Sequence, residues 1–161
     1  MRRQGLSGQS AIEFLLILPF LLLALAVTVD ASQLYIASSR AEAAASDTAR
    51  WAASRLSAQS SASLAEVQAY CRSTGMVGDD ASISFSTTAM RDSAYTMRLL
   101  DSSGATAKQQ EVRDKLQRCE VTVSVPVHLI IGVGPLADGA TNGVRTMSST
   151  QSVIATTETT L

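Results

Sequence analysis

The chain has 161 residues, a formal net charge of −1, and 46% hydrophobic against 17% charged residues. That length has room for one membrane-length segment and one modest folded domain, and with no basic patch interleaved with aromatics, nucleic-acid binding has little footing. One histidine and two cysteines are too few for a zinc site.

Arg2 and Arg3 precede an uncharged apolar run from Phe14 to Val29 that Asp30 closes, and no further Lys or Arg appears until Arg40. With Ala11 and Ile12 the run approaches the ~30 Å of a bilayer core at ~1.5 Å per residue. The charge asymmetry orients the amino end toward the cytoplasm and everything after Asp30 outside. Pro19 leaves the Leu15 carbonyl without its usual donor, so a helix kink is expected there. Glu13 sits at the mouth of the run, where a carboxylate is costly and needs a partner. Proteolysis after Gly8 would create one: the freed α-amino group of Gln9 stands i, i+4 from Glu13, on one helix face.

This segment resembles the class III signal of type IV pilin-like proteins. The closer resemblance is to the TadE-like minor pilins or pseudopilins of the Flp-type (tight-adherence, Tad) pilus. Those carry Gly, four variable residues, Glu and an aromatic; here these are Gly8, the four residues Gln9 to Ile12, Glu13 and Phe14. Many other type IV pilins open the mature chain with Phe, then Thr-Leu, and Gln9, Ser10 and Ala11 depart from that pattern toward the Flp-type group. The resemblance implies a prepilin peptidase cutting between Gly8 and Gln9, with Glu13 and Phe14 serving assembly. It also implies as partners the other pilin subunits and the inner-membrane assembly platform with its motor. The chain would cross the cytoplasmic membrane once, in contact with lipid, with its carboxy-terminal domain outside. Two plainer readings stay open. One is a secretory signal, cleaved after the small residues around Ala26 or Ala31. The other is an uncleaved anchor carrying an extracytoplasmic binding module.

From Ala31 to Ala58 the chain is rich in Ala and Ser and lacks Pro and Gly, with Leu34, Ala37, Ala41, Ala45, Ala52 and Leu56 near heptad spacing. One helix from about Ser10 to Ser57 is expected, half in the membrane and half outside, with Asp47 and Arg50 placed to pair. Ser57 to Ser63 reads as a break. Ser63 and Glu66 have capping-box spacing for a short helix over Leu64 to Arg72, and Thr74 to Asp80 reads as a turn. Strands are expected over Ala81 to Thr87, Ala94 to Leu100, Glu120 to Ile131 and Val144 to Thr157, with Pro126 marking an edge or a bend. Lys108 to Gln117 is polar and charged, suiting a solvated helix or a long hairpin loop, and Gly132 to Gly139 reads as loop. The expected fold is α+β and pilin-like, a long amino-terminal helix packed on a small antiparallel sheet of about four strands. The parts are a leader (1–8), a membrane helix (9–30), its external continuation (31–58) and a small extracytoplasmic domain (59–161).

Cys71 and Cys119 lie 48 positions apart in the external part, where disulfides persist. A bridge between them would constrain the unfolded chain by about 4 kcal/mol; two free thiols or a redox pair are the alternatives. His128 has no triad or metal partner legible in the sequence. Gly132 and Gly134 lack the third glycine and the strand–helix setting of a dinucleotide loop. No serine has a positioned base. The chain is expected to be a protease substrate, not an enzyme, and to need no cofactor or metal.

Overall fold

A computed structural model describes residues 7–58, 61–100, 104, 106–131 and 143–160, with side chains left aside at 7–10, 107 and 160. Two helices precede three strands: α1 (Ser7–Ser57), α2 (Leu64–Ser73), β1 (Ser82–Leu100), β2 (Thr106–His128) and β3 (Val144–Thr160). The strands form one sheet in the order β1-β2-β3. The chain divides into two compact units. One takes α1 up to Ala37 together with Pro126–Thr146, and the other takes Ser38–Val125 with Met147–Leu161.

In the first unit, the helix carries the apolar run. Pro19 stands within it, and the helix continues past it without a break. Thr28 and Ser32 turn their hydroxyls back onto the Ala24 and Thr28 carbonyls, each at 2.8 Å, a local bond that hides a polar group within a helix. Leu34, Ala37 and Val127 are buried. Beyond β2, the Leu129 N–H donates to the Gly143 carbonyl at 2.8 Å. Gly143 has φ +75°, a conformation that suits glycine because it has no Cβ.

The second unit holds the core. Ala41, Ala44, Ala45, Ala49 and Ala52 present a fully buried small-residue face of α1 to Val67 and Cys71 of α2 and to Ile83, Val121 and Val123 of the sheet. Alanine suits this position twice, as the best helix former and as a side chain small enough for close approach. Ser63 caps α2 in a complete capping box: its Oγ accepts from the Glu66 N–H at 3.3 Å, and its own N–H donates to Glu66 Oε2 at 2.9 Å. That bond, and the serine hydroxyl after it, hold the Glu66 carboxyl below its ordinary pKa. Gln68 Nε2 donates to the Ile83 carbonyl at 3.1 Å, tying α2 to β1.

The sheet differs from expectation in two ways. It has three strands among the described residues, because the two segments expected around Phe85 and Met97 are one strand, β1. Its register slips between Ala89 and Arg91, leaving Met90 as the extra residue of a bulge. Lys108 to Gln117 is neither helix nor loop but strand, paired along its length with β1. There Arg113 grips Asp92 through two 2.8 Å bonds, one each to Oδ1 and Oδ2. This exposed fork lowers the Asp92 pKa and raises that of Arg113, the hydrogen bonds acting first and the charges after. As for Pro126, it lies in the strand that is central in the sheet order. However, β1 pairs with β2 only as far as Ser124, so on the β1 side Pro126 faces no ladder and its missing N–H is tolerated there.

The expected disulfide is absent. Cys71 and Cys119 are both free and buried, each in a different apolar cluster. Cys71 packs with the Ala41–Ala52 face, whereas Cys119 packs with Ala53 and Ala155. Burial pushes the Cys119 thiol pKa up, as expected for an inert structural cysteine.

Candidate functional site

The candidate site is the first half of α1. Gly8 and Gln9 lie in its first turn. Glu13 follows one turn after Gln9 and is exposed, beside Phe14 at 62% exposure. From Ile12 to Leu25 the large apolar side chains are mostly more than half exposed, from Leu22 at 54% to Phe20 at 69%. Left in water, such a surface costs about 25 cal/mol per Å², so it needs lipid or other helices around it. The 18-residue window at the heart of this helix has a mean hydropathy of 2.6 and none of it is buried within the chain. This is compatible with single-pass membrane anchoring.

Asp30 is more than the polar end of the run. It is fully buried. Its Oδ1 accepts from the Ile130 N–H at 2.8 Å, and its Oδ2 accepts from the Ile131 N–H at 3.0 Å. Two backbone donors beyond the end of β2 thus find acceptors, and the buried carboxylate is satisfied by charge-assisted bonds. The sequence signal for this clamp was weak: an aspartate directly after an apolar run reads simply as its end.

A second cluster joins α1 to α2. The Trp51 and Tyr70 rings stack at 4.6 Å with an 8° interplanar angle, and the Arg55 guanidinium lies 5.4 Å from the Trp51 centroid. Tyr70 Oη donates to Asp47 Oδ2 at 3.1 Å. Asp47 therefore serves the tyrosine rather than an ion pair with Arg50, whereas Arg113 and Asp92 do form an ion pair. The Asp47 hydrogen bond, with burial and the Asp47 charge behind it, raises the Tyr70 pKa. Stacking and a cation over a ring are packing forces, and this cluster fastens helix to helix.

His128 is exposed at the end of β2, while the Gly132–Gly139 segment lies outside the described residues. No group of three or more His, Cys, Asp or Glu among the described residues is placed to hold a metal.

Fold and site define a class, an α+β protein carried on one long helix whose first half is apolar enough to cross a membrane. Within it, residues 8–50 match the family model described as TadE-like protein, consistent with a TadE-like protein of the Tad pilus system. The match opens at Gly8 and runs along α1 into its alanine face as far as residue 50, leaving the sheet outside. No curated protein and no solved structure matches the chain.

Proposed function

We propose that this chain is a minor pilin or pseudopilin that supports assembly of an Flp-type adhesion pilus after a prepilin peptidase cuts between Gly8 and Gln9. The observation that carries the reading is the family match opening at Gly8 on a helix that places Glu13 one turn after Gln9. In mechanism, cleavage leaves a cationic amine on Gln9 while the apolar run stays in the bilayer. On extraction into a filament, the surface from Phe14 to Val29 is buried against other subunits' helices. Glu13 then offsets the charge of an amino terminus, its own or a neighbour's, where the low dielectric makes an unpaired charge expensive. In this reading the chain is a substrate and a building part, not a catalyst. Its partners are the peptidase, the other pilins and the inner-membrane platform, and its domain lies outside the cytoplasm. The α1 face that packs on the sheet holds that domain to the spine as the membrane half is drawn out.

Two substitutions test this. Gly8→Ala is expected to abolish the mobility shift seen when the peptidase is co-expressed. Glu13→Ala is expected to leave membrane insertion intact and to cut surface piliation sharply. Normal piliation with Glu13→Ala would remove the role given to the carboxylate, and identical mobility of parent and Gly8→Ala chains would remove processing at this site.

A further inference from the structure

Asp30 fixes more than a strand end. It is the first residue past the apolar run, and its two oxygens hold the Ile130 and Ile131 amides at 2.8 and 3.0 Å. Those residues therefore sit at the height of the last apolar turn of α1. Ile130 is 65% exposed, and two large side chains just up the helix, Tyr35 at 77% and Ile36 at 48%, are exposed as well. All of these residues belong to one compact unit.

The helix sets the depth. The run from Phe14 to Val29 is about 24 Å long at the ~1.5 Å rise, short of the ~30 Å hydrocarbon core. A centred run thus leaves the outer hydrocarbon boundary roughly 3 Å past Val29, beside Asp30. Tyr35 and Ile36 then stand about 9–11 Å past Val29, at headgroup depth, where aromatic side chains with a polar tip are favoured. Along α1, with no Lys or Arg between Arg3 and Arg40, the helix's own attraction to the bilayer there is apolar rather than a pull on anionic headgroups.

Resting on the single-pass reading above, we infer that Ile130, Tyr35 and Ile36 form an interfacial belt whose partner is the outer lipid surface, and that Asp30 is its positioning residue. The membrane contact is then not the helix alone: the end of β2 is a second point of contact, adjoining the surface already given to lipid. A carboxylate at this depth is tolerated because backbone amides replace the water it gives up. Two points of contact would limit the tilt and rotation of this unit over the bilayer, where a lone helix leaves both free.

Depth-dependent quenching tests the belt. The full-length chain with Trp51→Phe receives one tryptophan at a time, as Ile130→Trp, Tyr35→Trp or Leu22→Trp. Each is reconstituted in phosphatidylcholine–phosphatidylglycerol vesicles brominated either near the headgroup or near the chain ends. The expected result is strong quenching of Ile130→Trp and Tyr35→Trp by the shallow bromines and weak quenching by the deep ones, with Leu22→Trp showing the reverse. Adding Asp30→Asn should weaken quenching at Ile130→Trp and spare Tyr35→Trp. If Leu22→Trp is quenched but Ile130→Trp and Tyr35→Trp are not, the belt is overturned and the span stands; a blue-shifted, unquenched Ile130→Trp would assign that side chain to protein packing instead. Quenching at Tyr35→Trp alone overturns the role of the β2 end. Unchanged quenching of Ile130→Trp with Asp30→Asn overturns the role of Asp30. Loss of quenching at Leu22→Trp overturns the span itself, and the belt with it.

Discussion

Tyr70 and Cys119 show how single contacts govern behaviour in solution. Because Tyr70 donates to the Asp47 carboxylate at 3.1 Å, its folded-state pKa lies above the ordinary value of 10.0. The stability from this bond is complete below that value and is lost as pH rises through the folded pKa. The melting temperature of the full chain in detergent should therefore fall more steeply at alkaline pH than that of Tyr70→Phe; parallel curves would show that the bond contributes nothing. The thiols give a second residue-scale prediction. Without reductant, alkylation should be slow in the folded chain at both Cys71 and Cys119 and complete at both once the chain is unfolded. Unreactive thiols in the unfolded, unreduced chain would reveal a bridge between them. The sequence suggested that bridge because it gives spacing and compartment, but it does not show that Cys71 and Cys119 are drawn into separate clusters.

Helix α1 was legible at the level of the element. Of the positions picked out by spacing, Leu34, Ala37, Ala41, Ala45 and Ala52 are buried and Leu56 is half-buried, because helical period and burial are tied by geometry. The capping box was legible for the same reason, being a local device. The hairpin was not. Lys108 to Gln117 has no apolar period, and its strand conformation comes from the partner opposite, through pairs such as Tyr95 with Val112 and the Asp92–Arg113 fork. The bulge at Met90 also hid it. Ile83 and Phe85 share a face with Val121 and Val123, but after the slip Tyr95, Met97 and Leu99 stand opposite Val112, Gln110 and Lys108. Alternation along β2 puts those on the other face, so a single reading of alternation along β1 fails halfway. The tight α1 face yields the prediction for this scale. Ala49 has no exposed surface, and Ala49→Leu should overpack it, costing about 1–3 kcal/mol in thermal unfolding of the full chain in detergent. An unchanged melting temperature would mean that the helix and sheet are less closely packed than the structure has them.

For the whole molecule, one helix joins two tasks. Its first half presents side chains that need lipid or other helices, and its second half presents alanines that need a sheet. The family match takes in the first half and reaches residue 50 of the second. The membrane-length apolar helix was the most legible part of the chain, since its run is contiguous. Asp30 was read only as an end, because its partners lie 100 and 101 residues away in sequence. The most direct test of the pilin reading is the mass of the native amino-terminal peptide, purified from cells that make the pilus. A chain beginning at Gln9 is expected. One beginning at Met1 or Arg2, or after the small residues near Ala26 or Ala31, would contradict it.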